Sequence, residues 1–209
     1  MEFTETKVPG AWTVTPRPHA DDRGVFLEMY KAATFAPAIG HPLSIAQVNN
    51  SVSRRNVLRG IHFALVPPGQ AKFVYCPSGA GLDFVIDIRD GSPTFGTWDV
   101  VRIDSSERRG VYIAEGIGHA FVALSDEASL LYFCSAEYDP AREFTVSPFD
   151  PELDIDWQVA DPILSDRDRD APTLKEAREL GQLPTWESAL ARYAELGLRL
   201  PSADPAGGA

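Results

Sequence analysis

Arg59, His62 and Lys72 fall within one short stretch, VLRGIHFALVPPGQAK, spanning residues 57–72. Val57, Leu58, Ile61 and Phe63 give it the β-branched and apolar character of a strand, with Arg59 and His62 interleaved among them. The run ends in a Pro67-Pro68-Gly69 turn, after which Lys72 opens the next apolar run, KFVYC. Two cations and an imidazole in or beside strands that otherwise read as barrel wall are costly unless paired or facing a solvated cavity. A cavity holding a base and two cations suits an acidic small molecule. His119 is the second histidine in a strand-like pattern, whereas His19 and His41 lie beside prolines in loops.

A metal is the rival reading, because metal-binding jelly rolls often use a His-x-His pair, a Glu and a later His. Here position 60 is Gly and position 64 is Ala, so His62 stands alone. No Glu follows before Lys72, whose charge opposes a divalent ion. Two histidines without carboxylate support make a poor site, and no metal is expected.

The elements that must position these groups read mostly as strands. AWTVT, among Pro9, Pro16 and Pro18, is expected to be a short edge strand. Asp21-Asp22-Arg23-Gly24 is a turn leading into GVFLEMY, a strand with Val25, Leu27 and Met29 on one face. Ala32–Ile39 reads as a short helix stopped by Gly40 and Pro42. LSIAQVNNS is a strand placing Ile45, Gln47 and Asn49 together, facing either solvent or the cavity. LDFVIDI alternates Leu82, Phe84, Ile86 and Ile88 with Asp83, Val85 and Asp87, as a half-buried strand would. WDVVRI, GVYIA, HAFVAL and SLLYFC follow at regular intervals without a helical period. Such spacing indicates an antiparallel sandwich or barrel.

ILSDRDRDAP reads as a polar loop. Helical spacing then begins at Thr173, with Leu174, Ala177 and Leu180, followed by Trp186, Leu190, Tyr193 and Leu196. Thr173 with Glu176, and Thr185, are the expected caps. The chain is thus read as an all-β jelly-roll domain over 1–172, a helical segment over 173–200 belonging to the same domain, and a disordered tail over 201–209.

Composition narrows the function. A net charge of −11 over 209 residues argues against non-specific nucleic-acid binding, although a local cluster such as Arg23, Arg59 and Lys72 can still hold a nucleotide. The N-terminus has no signal pattern, and no apolar run approaches membrane-spanning length. Cys76 and Cys134 sit in strand-like runs and are expected to be buried free thiols of a soluble, cytoplasmic protein.

The runs SVSRRNVLRGIHF, PPGQAK, VIDIRDGSPTFGTW, IAEGIGHAFVALSD, LLYFCSAEYDP, DPELDIDW and ILSDRDRDAPTL resemble the dTDP-4-dehydrorhamnose 3,5-epimerase family from about Arg23 to Leu174. The end of the chain, SDRD and then LPTW before a final helix, is similar to the branch serving antibiotic deoxysugar pathways. The resemblance implies a cupin-type jelly roll and a homodimer with exchanged strands. It implies no metal or organic cofactor, and a dTDP-linked 4-keto-6-deoxyhexose as substrate. Epimerisation removes a proton from carbon beside the ketone and returns one to the opposite face.

By the same resemblance His62 is the base, Asp168 the carboxylate orienting it, Lys72 the cation at the C4 oxygen and Tyr132 the acid. Arg23, Phe26, Glu28, Gln47, Asn49, Arg59, His119 and Glu143 match binding positions, and Tyr138 the aromatic that stacks on thymine. Arg167 stands where many members carry Lys. In a regular strand Arg59 and His62 have opposite parity. Either Gly60 marks a bulge that turns both inward, or Arg59 acts near the rim. Altered wall residues, such as Ala64 and Tyr75, leave C3, C5 or both as the inverted centre. A nucleotide-sugar-binding protein without catalysis and a metal-dependent cupin oxygenase or isomerase are the competing functions.

Overall fold

The computed structural model describes residues 1–200, and the tail 201–209, expected to be disordered, lies outside the described residues. The first half runs β1 (Glu2–Glu5), β2 (Ala11–Thr15), β3 (His19–Asp21), β4 (Gly24–Phe26), α1 (Ala32–Ile39), β5 (Gln47–Arg54), β6 (Leu58–Ala64) and β7 (Lys72–Ser78). The second runs β8 (Ala80–Ile86), β9 (Trp98–Asp104), β10 (Gly110–Ile113), β11 (Gly118–Ala123), β12 (Glu127–Cys134) and β13 (Glu143–Thr145). Three helices close the chain: α2 (Asp166–Arg169), α3 (Leu174–Glu179) and α4 (Trp186–Leu196).

The strands form two facing antiparallel sheets, ordered β1-β2-β10-β7-β12-β5 and β13-β6-β11-β8-β9, with β3 and β4 a separate ribbon. This is the expected jelly roll. One cluster has Val74, Val85, Val111, Phe121 and Leu130 between the sheets and continues outside the six-stranded sheet, where Phe73 packs against Phe35 of α1. A second covers the outer face of the five-stranded sheet, where Leu58, Ile61, Phe63, Leu82, Phe84 and Ile86 meet Leu153, Trp157, Leu174 and Ala177. Phe84 packs on Trp157 with ring centroids 4.7 Å apart. No helix among the described residues is long and apolar enough to cross a membrane.

That second layer corrects the reading of β8. With the facing sheet on one side and the C-terminal segment on the other, β8 is buried on both faces rather than one. Asp83 and Asp87 have 0% exposure. Asp87 is paired by Arg89, whose Nε and Nη2 both donate to it at 2.7 Å. Arg89 Nη1 also donates to the Tyr193 hydroxyl at 2.9 Å, tying α4 to the barrel.

AWTVT is not an edge strand, because β1 covers it on one side and β10 on the other. β4 stops at Phe26 and has no sheet behind it, so Val25 and Phe26 are both exposed. The loop around SDRD contains a helical turn, α2, capped by the Ser165 side chain accepting from the Asp168 N–H. Thr173 and Glu176 form the expected capping box, and Thr185 caps α4. Leu180 falls on the C-cap of the short α3 and is 65% exposed, while α4 buries Ala189 and Tyr193 and leaves Leu190 outside.

Candidate active site

Between the sheets lies a cavity of about 300 Å³. The five-stranded wall supplies Arg59 and His62 from β6, His119 from β11 and Glu143 from β13. The facing wall supplies Gln47 and Asn49 from β5, Lys72 from β7 and Tyr132 from β12. Tyr138 and Arg167 close one end, Tyr138 being half-exposed. His62 and Tyr132 therefore stand on opposite sheets.

Arg59 and His62 both reach the cavity because β6 bulges. His119 pairs with His62 and Phe121 with Arg59, so two steps on β11 oppose three on β6. The surplus residue is taken up at Gly60, whose φ is +125°. A Cβ there would lie 2.6 Å from both the Ala120 Cβ and the His119 carbonyl oxygen. Leu58, Ile61 and Phe63 keep to the outer apolar cluster. Of the two arrangements open from the sequence, the bulge is the one present.

His62 Nε2 lies 2.6 Å from Asp168 Oδ1, with Asp168 almost fully buried on α2. The carboxylate thus commits Nε2 and leaves Nδ1 as the free imidazole nitrogen. Burial alone would push the Asp168 carboxyl up. The His62 hydrogen bond and charge, with hydrogen bonds from Ser165 and the Gly60 backbone, outweigh it and hold the group below its ordinary value.

Lys72 is buried and has no ion-pair partner among the described residues. Burial pulls its ammonium below the usual lysine range, and Cys134 and Glu143 oppose that shift in part. Burial raises the Tyr132 phenol, helped by Cys134 and Glu143 and opposed by Arg59, which keeps its proton on at neutral pH.

A hydrogen-bonded rim surrounds these groups. Gln47 Nε2 donates to Asn49 Oδ1 at 2.8 Å, and Gln47 Oε1 accepts from the Tyr138 backbone at 2.9 Å. Arg59 Nε donates to Ser53 Oγ at 3.0 Å, and Arg167 Nη2 to the Glu143 carbonyl at 3.0 Å. The amides of β5 thus face the cavity and not solvent.

Arg23, Phe26 and Glu28 are not brought to this cavity within the one chain. They lie on or beside the β3–β4 ribbon, Arg23 paired with Asp21 and Glu28 with Lys31, and Phe26 is 67% exposed. Conversely, Ser51, Gln70, Phe121 and Leu130 also line the cavity. Ser51, Phe121 and Leu130 each sit two residues along a strand from an expected site residue (Asn49, His119, Tyr132), and the two-residue repeat of a strand would have found them, whereas Gln70 lies in the loop before β7. Asp83, hydrogen-bonded to His119 Nε2 at 2.7 Å, was hidden by its reading as a solvent-facing residue. Among the described residues no three His, Cys, Asp or Glu side chains converge to hold a metal.

Fold and cavity together define a class, the cupin-type jelly rolls with a histidine–aspartate pair and a buried lysine in the cup. The family model described as dTDP-4-dehydrorhamnose 3,5-epimerase matches residues 5–176, and the chain belongs to that family. The dTDP-4-dehydrorhamnose 3,5-epimerase of Mycobacterium tuberculosis (strain CDC 1551 / Oshkosh) is 50% identical over 190 residues, covering 90% of this chain and 94% of that one. The crystal structure of NovW, a 4-keto-6-deoxy sugar epimerase from the novobiocin gene cluster of Streptomyces spheroides, is 54% identical. It superposes with a TM-score of 0.89 over 90% of this chain and 95% of that one. ChmJ, a 3'-monoepimerase from Streptomyces bikiniensis solved with dTDP-quinovose, is 47% identical with a TM-score of 0.88, covering 91% and 97%.

Proposed function

We propose that the chain is an epimerase that inverts C3, C5 or both of a dTDP-linked 4-keto-6-deoxyhexose in deoxysugar biosynthesis. The observation that carries the reading is the 2.6 Å contact of His62 with Asp168, in the cavity that also holds Lys72.

In this mechanism His62 Nδ1 takes the proton from the carbon beside the ketone, and Asp168 stabilises the imidazolium that forms. The electron pair moves to the C4 oxygen, where the Lys72 ammonium stabilises the enolate by on the order of 3 kcal/mol. Tyr132, on the opposite sheet, gives its proton to the other face of the carbon as the C4 carbonyl reforms. The phenolate and imidazolium then exchange protons with solvent and the site is reset. No cofactor is required. Gln47, Asn49, Arg59, His119, Glu143 and Arg167 hold the diphosphate and sugar, and Tyr138 stacks on thymine.

Arg23, Phe26 and Glu28 enter the site from a second copy of the chain in a homodimer with exchanged strands. Their distance from the cavity within one chain, and the exposure of Phe26, support this arrangement. Two free, buried thiols fit a reducing compartment, and we place the chain in the cytoplasm.

The test is NMR of dTDP-4-keto-6-deoxyglucose incubated with the protein in deuterated water, beside the His62→Asn variant. Deuterium enters C3, C5 or both with the wild-type chain and neither with the variant. No exchange at either carbon with the wild-type chain would sink the enzyme reading.

A further inference from the structure

The cup contains a second histidine–carboxylate pair to which that mechanism assigns no proton. His119 Nε2 lies 2.7 Å from Asp83 Oδ2, the same wiring as His62 Nε2 to Asp168 Oδ1 at 2.6 Å. In both pairs Nε2 is committed to the carboxylate and Nδ1 is left for the cavity.

The surroundings of the two carboxylates differ. Asp168 is met by His62, Ser165 and the Gly60 backbone, and its imidazole side chain is 37% exposed. These contacts allow it to remain ionised. Asp83 lies inside the five-stranded sheet with 0% exposure; among the described residues the one hydrogen-bond partner of its carboxylate is His119, and Oδ1 has none. The His119 side chain is only 10% exposed. Besides His119, the titratable group facing Asp83 is the Cys76 thiol of β7, which Asp104 also faces. Burial, with Asp104 and Asp83 adding to it and Ser78 opposing, pushes that thiol up to about 11, so it brings no charge. A fully buried pair with an orphaned carboxylate oxygen cannot cheaply carry net negative charge. Burial pushes the Asp83 carboxyl upward, and His119 counters it only in part.

We propose that the two pairs differ by one proton: Asp168–His62 offers an Nδ1 lone pair that accepts, whereas Asp83–His119 holds an extra proton and offers Nδ1–H as a donor. The extra proton makes the buried pair neutral overall, whether it is written O–H···N or O⁻···H–N⁺. Either form leaves hydrogen on Nδ1. Asp83 is then a positioning residue acting through His119, and the donor meets an anionic oxygen of the nucleotide sugar. Only this last step rests on the epimerase reading.

The first measurement is long-range proton–nitrogen NMR of the full chain with labelled histidines and no ligand, near neutral pH, assigned with His62→Asn and His119→Asn chains. His119 is expected to carry hydrogen on Nδ1, and His62 to carry it on Nε2 alone. An His119 Nδ1 without hydrogen would overturn the proposal, and this holds even if the chain turns over no sugar.

The second compares Asp→Asn variants. An amide at 83 can donate its N–H to His119 Nε2 and keep Nδ1–H, whereas an amide at 168 moves the His62 proton onto Nδ1 and removes the acceptor. Asp168→Asn should lose on the order of 10⁴-fold in kcat, as when a triad aspartate is amidated. Asp83→Asn should lose less than about tenfold, and Asp83→Leu, which gives Nε2 no donor, at least ten times more than Asp83→Asn. Asp83→Asn falling as far as Asp168→Asn would sink the idea.

Discussion

His62 and His119 stand directly opposite each other on β6 and β11, although three steps of chain lead from Arg59 to His62 and only two from Phe121 to His119. The mismatch turns Arg59 and His62 to the same side of their strand. One glycine therefore decides whether the imidazole and the guanidinium share a cavity.

Gly60→Ala tests that dependence. The new Cβ would meet the Ala120 Cβ and the His119 carbonyl at 2.6 Å, in a backbone conformation with φ +125°. The expected cost is on the order of 2–4 kcal/mol from backbone strain and overpacking. Denaturant unfolding should show that loss, and deuterium exchange into the sugar should fall more than stability does, because the strand on either side of residue 60 carries Arg59 and His62. Unchanged unfolding and exchange would show that the bulge tolerates a side chain.

The Asp168 carboxyl is held below its ordinary value once burial is outweighed by His62, Ser165 and Gly60. A depressed carboxylate contributes stability that is fully present above its unfolded pKa, about 3.9, and is lost as pH falls through the lower folded value. The stability gap between wild type and Asp168→Asn should therefore be present at about pH 5 and close below about pH 4. Urea midpoints measured across that range check it, and a gap that widened in acid would contradict the assignment.

Tyr132 faces His62 from the other sheet, and burial keeps its hydroxyl protonated. Tyr132→Phe should remove the proton for the opposite face while leaving the base intact. Deuterium should still enter the sugar, with the configuration retained. Net inversion at a normal rate in that variant would rule Tyr132 out as the acid.

Lys72 is the buried cation nearest the developing charge in the proposed reaction. Lys72→Met should lower kcat about 10²-fold or more, since one preorganised oxyanion donor is typically worth that much. The variant should fold at least as stably as wild type, because an unpaired buried ammonium is replaced by an apolar chain of similar length. A loss of activity matched by a loss of stability would point to packing instead.

Much of this arrangement could be read from residue order. The strands alternate cleanly, so the jelly roll was legible, and the family resemblance assigned His62, Asp168 and Lys72. The misses share a physical cause: one strand's pattern does not reveal what covers its second face. The apolar face of β8, Leu82, Phe84 and Ile86, packs outward on the segment holding Trp157 and Leu174, so the face carrying Asp83 and Val85 turns to the other sheet instead of to solvent. The parity of Arg59 and His62 depends on a register shift against β11, which is a property of two strands. Asp168 sits on a single helical turn, capped by Ser165, that is too short for any apolar period to mark.

The ribbon residues Arg23, Phe26 and Glu28 give the last prediction, because one chain alone leaves them outside the cavity. If a second copy supplies them, each site combines the His62 of one chain with the ribbon of the other. Arg23→Ala and His62→Asn chains should each be inactive alone. Mixed after unfolding and refolded together, they form some dimers in which one site carries both defects and the other carries neither. Random pairing makes such dimers about half of the total, each with one intact site, so the mixture should regain roughly a quarter of wild-type exchange. An inactive mixture whose heterodimers are verified by differential tagging would mean that ribbon and cavity do not meet across the dimer.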